Sequence, residues 1–316
     1  MTTLSQVRVK CGVCGSSSWQ GFLSSYYPFP SVYFDSKPEG VNPKCWHQCC
    51  PTCHYCAPSI GEVEPVSSLD KKDEIFEFDD EVEEFLSRLN DESLMDVEEI
   101  DKFVNAVQKF LFPLHVEPIT GKFFSKFLDS TRFSKYEERK LPHEVDKNKL
   151  IEIINSEEYR LMVSSVEVGY LSEHILYSYI CEKFGWLSPA GLSSMCCAWF
   201  CDDTFYYPFR KDESQKLRKR AFNFFVRAVL SEKSFAKDLI SEGLILVDIS
   251  RRMGEFELAN RLLNFVEEIT PHYELELIQK VIIKYQKVFI KKRDTKAYKI
   301  DGDGNVFDNR GRRIKL

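Results

Sequence analysis

The sequence has no hydrophobic stretch behind a basic start between Met1 and Arg8, so it shows no secretory signal. An uncharged stretch of 18 residues, Phe184 to Cys201, is interrupted by Gly185, Pro189, Gly191 and several serines. A membrane helix wants about 20 mostly apolar residues. This stretch reads instead as a buried helix with a loop before it, and no membrane association is expected. Histidine is scarce, and none of the six lies in an H-E-x-x-H pattern. Glycine-rich phosphate loops and the G-x-S-x-G elbow are absent as well. With no general base, nucleophile and oxyanion set in view, no catalytic residue is assigned. Charge is lacking in only one sense. The net of −6 argues against wholesale nucleic-acid binding and leaves room only for local basic patches.

Cysteine, by contrast, is plentiful. Seven of the eleven fall in the first 60 of 316 residues. Without a secretory signal they point to a reducing, cytoplasmic setting, where clustered thiols more often bind metal than form disulfides. Two C-x-x-C pairs stand out, Cys11-Gly-Val-Cys14 and Cys50-Pro-Thr-Cys53. Such a turn directs two sulfurs at one point, and two turns supply a tetrahedral Cys₄ set suited to Zn²⁺. The predicted ligands are therefore Cys11, Cys14, Cys50 and Cys53, with 35 residues between the pairs. Cys53-His-Tyr-Cys56 is a third such pair, so Cys56 competes with Cys50 for the fourth position. Otherwise Cys45, Cys49 and Cys56 read as ordinary buried or half-buried thiols. A second site drawn from Cys45, His47, Cys49 and His54 or Cys56 is the alternative. Redox chemistry would want a C-x-x-C opening an amphipathic helix, and neither pair does so.

Composition divides the chain into four zones. Residues 1–60 form a ribbon-like β module in which "VRVKC" and "SVYF" read as strands. Residues 61–145 begin sharply acidic, with 17 Asp and Glu against three basic residues between 61 and 101. Helical stripes follow at Val82, Phe85, Leu86 and Leu89, then from Val97 to Leu111, up to Pro113. The acidity reads as a solvated helix face or as a docking surface for a basic partner. Residues 146–292 are a succession of helices. Residues 293–316 are a basic tail in which "YKI" and "NVF" predict a β-hairpin around Asp-Gly-Asp-Gly. Asp301, Asp303 and Asn305 imitate a calcium loop, but Val306 and Arg312 stand where Gly and Glu are required. Cys181, Cys196, Cys197 and Cys201 fall in apolar helical segments and read as core.

"GLILVDISRRMGEFELANRLLNFVEEITP" has the spacing of a helical hairpin: Gly254 for the turn, Ala259 for the crossing, Leu263 and Val266 for the core, Pro271 at the close. The pair "SPAGLSSMCCAWFCDD" and "KLRKRAFNFFVRAVLSE" reads as a second, degenerate hairpin. Such units bury their faces only by stacking. The expected fold is thus mostly α, stacked tetratricopeptide-like hairpins with a small N-terminal zinc-ribbon module.

The C-x-V-C and C-P-x-C-x-Y knuckles, the "CAW" helix and "RRMGEFELANRLL" together resemble the prokaryotic domain-of-unknown-function family numbered 2225. The resemblance spans residues 7–57 and roughly 170–270, and it implies Cys11, Cys14, Cys50 and Cys53 as the knuckle positions. Cys56 departs from the small residue expected there, as do the acidic insertion and the basic tail. The family label implies no activity. The sequence favours a zinc-containing, non-enzymatic adaptor that binds an unidentified protein. A nucleic-acid-associated protein using ribbon and tail is the alternative, and a metal- or thiol-dependent enzyme a further one.

Overall fold

The computed structural model describes residues 3–25, 31–35, 47–65, 107, 118–134, 141–167, 171–202, 211–308 and 310–316. The fold is mostly helical, with stacked helical hairpins behind a small N-terminal β region. That region consists of β1 (Thr3–Cys11), β2 (Ser17–Ser25), β3 (Ser31–Tyr33), β4 (Gln48–Cys49), β5 (Cys56–Ala57) and β6 (Gly61–Val63). β1 pairs antiparallel with both β2 and β6, and β4 pairs with β5. The acidic stripe from Val82 to Leu89 lies outside the described residues. Of the next one, only Val107 is described, helical and buried.

Helices follow in the order α1 (Gly121–Phe127), α2 (Pro142–Val145), α3 (Lys147–Ile154), α4 (Glu157–Glu167), α5 (His174–Phe184), α6 (Leu187–Cys201), α7 (Lys211–Leu230), α8 (Leu239–Arg252), α9 (Phe256–Ile269) and α10 (Leu277–Lys291). α6 lies in the uncharged stretch, and a helix with so few polar positions must be covered on most of its sides. Its first turns stay partly open, with Leu187 half-buried and Leu192 exposed, and the rest is covered. Met195, Cys196 and Trp199 face one core with Phe222, Phe225 and the C-terminal helices. Ala190, Cys197, Ala198 and Cys201 face another with Tyr159, Ile175 and the cysteine-rich β region. Gly191 lets α7 close in, because a Cβ there would lie 2.5 Å from the Phe225 ring.

The α8–α9 hairpin has the predicted parts. Gly254 turns the chain at φ +82°, a left-handed conformation that glycine adopts without strain. Ala259, Leu263 and Val266 are buried at the crossing. The structure adds Gly243, where a Cβ would meet Val266 Cγ2 at 2.5 Å.

The C-terminal residues are built into the body. β7 (Tyr298–Asp301), β8 (Val306–Asp308) and β9 (Arg313–Ile314) form a meander, and β3 pairs with β7 through Ser31↔Asp301 and Tyr33↔Lys299. Two Asp-x-x-Gly turns link these strands. Asp301 accepts from the amides of Asp303 and Asn305, and Asp308 from those of Arg310 and Arg312. Gly304 and Gly311 close the two turns with positive φ. Tyr298, Ile300 and Val306 point into the larger core.

Buried arginines pin the layers. Arg252 on α8 bridges Asp35, just beyond β3, and Asp202 at the C-cap of α6, which also binds Arg218 of α7. Trp199 Nε1 donates to the same Asp35 at 3.0 Å. Burial alone would raise the Asp202 pKa, but the guanidinium charges of Arg218 and Arg252 outweigh it and hold the carboxyl well below the ordinary range. A depressed carboxylate stabilises the fold above its unfolded pKa, near 4, and loses that contribution as pH falls through the folded value. Asp202→Asn should therefore lower stability at pH 7 by on the order of 2 kcal/mol and flatten the acid limb of a Tm-against-pH curve. An unchanged acid limb would remove the carboxylate from this role. At the helix crossing, Gly243→Ala and Ala259→Leu should each cost about 1–3 kcal/mol by overpacking, read from denaturant midpoints.

Candidate metal centre

Both knuckles have the same backbone design. In the first, at the end of β1, the Cys11 amide donates to the Ser16 carbonyl at 2.8 Å and the Gly15 amide to the Cys11 carbonyl at 2.9 Å. In the second, between β4 and β5, the Cys50 amide donates to the Tyr55 carbonyl at 2.9 Å and the His54 amide to the Cys50 carbonyl at 2.8 Å. The fifth residue of each turn has positive φ, +75° at Gly15 and +58° at His54. Each turn thus aims two sulfurs inward.

The four sulfurs of Cys11, Cys14, Cys50 and Cys53 lie within 4.8 Å of one another, so the group could hold a metal ion. Cys11–Cys53 is 3.8 Å and Cys14–Cys50 is 3.6 Å. A tetrahedron with metal–sulfur bonds of about 2.3 Å has edges of about 3.8 Å. The fit is close. Cys11 and Cys50 are buried, Cys53 is half-buried and Cys14 is exposed. The Ser16 hydroxyl lies 2.9 Å from Cys14 Sγ and 3.3 Å from Cys50 Sγ, where it can stabilise thiolate charge. Within the cluster the Cys11–Cys53 hydrogen bond is the largest influence. It lowers the pKa of Cys11 and raises that of Cys53, because one sulfur of the pair can ionise while the other keeps its proton, and either can be the donor. For Cys14, burial opposes ionisation and the Ser16 contacts favour it, with a lowered value as the outcome.

Helices from the body clamp both knuckles, which sequence reading did not foresee. His143 of α2 lies over Gly12, where a Cβ would be 2.4 Å from its ring, and its Nδ1 is 3.0 Å from the Tyr55 hydroxyl. Tyr159 of α4 donates its hydroxyl to the His54 carbonyl at 2.7 Å. Gly61 is needed for a different contact, because a Cβ there would fall 1.9 Å from the Lys10 carbonyl oxygen. A glycine inside C-G-V-C was the available signal. Nothing local could have named His143 as its reason.

The remaining N-terminal cysteines need one correction. Cys49 and Cys56 are not free thiols: they face each other across β4 and β5 and are joined in a disulfide. The physical reason is register, because direct cross-strand opposition brings the two Cβ atoms together. Cys45 lies outside the described residues. His47 packs edge-on against His174 at 4.3 Å between ring centres and beside Tyr177 at 4.8 Å, away from the four sulfurs. Cys181, Cys196, Cys197 and Cys201 are buried in α5 and α6.

Comparison of the chain with protein-family models, curated proteins and solved structures finds no match. Among the described residues, no helix is long and apolar enough to cross a membrane.

Gly12→Ala should push His143 off the first knuckle and cost about 1–3 kcal/mol, while Gly12→Ala combined with His143→Ala should recover part of that loss. Equal stability of the single and double variants, measured by thermal denaturation, would show that the ring does not clamp the knuckle.

Proposed function

We propose that this chain is a zinc-binding, non-enzymatic adaptor whose stacked helical hairpins engage another protein. The single observation that carries the metal half is the convergence of four cysteine sulfurs from two like turns at tetrahedral spacing. All-thiolate donors select a soft or borderline ion, and Zn²⁺ is the ordinary occupant of a Cys₄ set. Cys11, Cys14, Cys50 and Cys53 would hold it. A full set of four protein ligands leaves no open position for substrate, which supports a structural role for the ion over a catalytic one. The protein-binding half draws on the tetratricopeptide-like form of α8–α9 and on a groove of 580 Å³ between α9 and α10. Phe256, Asn260 and Asn264 line it together with Glu257 and the Lys287–Glu267 ion pair, offering apolar, amide and charged contacts at one surface. The resemblance to the domain-of-unknown-function family numbered 2225 fits the same reading, with ribbon and helices in that order.

Purified protein should carry close to one zinc per chain, released when a mercurial titrates the four thiols. Cys53→Ser should lose the metal and unfold the β region, since metal binding is worth on the order of 10 kcal/mol to such modules. Cys56→Ser should keep the metal. Loss of metal in Cys56→Ser with retention in Cys50→Ser would overturn the ligand set. The nucleic-acid reading has its own outcome. Salt-sensitive DNA or RNA binding that disappears on charge reversal of the exposed Arg310, Arg312 and Lys315 would promote it over the adaptor.

A further inference from the structure

The second knuckle rides on very little sheet. β4 and β5 are two residues each, and Cys49 stands directly across from Cys56 with the Cα atoms 4.2 Å apart. Their disulfide closes a loop whose interior holds Cys50 and Cys53, half of the sulfur tetrad, while neither bonded sulfur belongs to the tetrad. The pair is also asymmetric. Cys56 is fully buried, whereas Cys49 is partly exposed.

We propose that Cys49–Cys56 is a reversible redox staple that governs how fast the tetrad releases its metal. This rests on the metal reading above. Thiol–disulfide exchange requires a thiolate to reach one sulfur of the bond, and exposure selects Cys49. A small dithiol attacks Cys49 Sγ, the bonding electron pair leaves with Cys56 Sγ, and that sulfur takes up a proton. The second thiol of the reductant then displaces Cys49, giving two protein thiols and the cyclic disulfide of the reductant. In the reverse direction, the two protein thiols pass two electrons and two protons to a low-molecular-weight disulfide, which is reduced to two thiols. With the staple closed, the register of β4 and β5 no longer depends on the ion. A sulfur that dissociates stays beside its vacated position, and recapture is favoured by preorganisation. With the staple open, the knuckle is held by its turn bonds, by Gln20 on Cys49 and by Tyr159 on His54. In a reducing compartment such a bond is transient and suited to sensing.

The test uses full-length, zinc-loaded protein. Treatment with glutathione disulfide should yield a Cys49–Cys56 linked peptide by mass spectrometry, and a dithiol should restore two thiols. After desalting, zinc transfer to a chromogenic chelator should be at least about tenfold slower from the oxidised form than from the reduced form. Cys49→Ser and Cys56→Ser should both match the reduced wild type, and the reversible wild-type comparison stands even if either variant misfolds. Absence of the linked peptide, or equal release rates with the link present, would overturn the staple and leave the metal reading intact. Failure of the protein to take up zinc in either state would instead sink the metal reading, and the staple's role with it.

Discussion

Four cysteine sulfurs cannot be brought within 4.8 Å as four thiolates without a cation between them. Like charges at that spacing repel by several kcal/mol at protein-like dielectric. The alternative, which the 3.8 Å Cys11–Cys53 contact allows, is to share protons: one sulfur ionises more readily when its neighbour stays protonated and donates. Such a hydrogen bond is a weak reward for assembling two knuckles from distant parts of the chain. A divalent ion would be a far stronger one. The backbone around the site is constrained in keeping with such a group, with two left-handed positions, two glycines where a Cβ would clash, and contacts from rings of α2 and α4.

The knuckles depend on the helical body as much as on each other. The paired segments of β1, β2 and β4 to β6 are too small to bury a core alone. Val9, Cys11, Tyr55, Ala57 and Ile60 are buried because α3 to α6 complete their cluster. The α6–α7 pair forms the back of that cluster and the front of the larger one. A change in how the knuckles sit would therefore reach α6 directly, and Asp202 at its end joins α7 and α8 through Arg218 and Arg252. The cysteine-rich region and the helical hairpins share a wall, so under the adaptor reading the ion fixes one side of the element that the hairpins are stacked upon.

Much of this was legible in the sequence wherever the signal is local. The C-x-x-C spacing points to the converging sulfurs while leaving Cys50 and Cys56 in competition, Gly254 and Ala259 point to a hairpin, and the uncharged Phe184–Cys201 stretch points to a buried helix with a loop before it. Where the physics is non-local, the sequence was opaque. Cys49 and Cys56 meet only because β4 pairs with β5 in one register, and a shift of one residue would separate them. Nothing in the local sequence marks Arg132, Arg251 or Arg252 for the interior, yet each is buried against carboxylates from elements far along the chain or nearby on its own helix. Asp35 gave no sign that it would accept from both Trp199 and Arg252.

The basic C-terminal stretch shows why net charge was the weaker guide. Its strands alternate, with Tyr298 and Ile300 inward and Lys299 between them turned toward the surface. Such alternation alone places cations on the outer face of any half-buried strand. Several of those charges are also used locally: Arg312 is paired with Asp308, and Arg313 bonds to Asn305. Asp301, the first residue of the stretch that imitates a calcium loop, is occupied in the same way, since it accepts the amides of Asp303 and Asn305 in its own turn, and Asp308 does the same in the next turn. Both turns share the spacing Asp-x-x-Gly, which makes the meander a repeated hairpin. Its inner face is anchored by Tyr285 of α10, whose hydroxyl donates to the Ile314 carbonyl at 2.9 Å. Pairing with β3 then ties it to the N-terminal region. Lys299 and Arg313 lie on strands that must keep one face wet, Arg312 is held by Asp308, and a role in binding would fall first to the exposed Arg310 and Lys315.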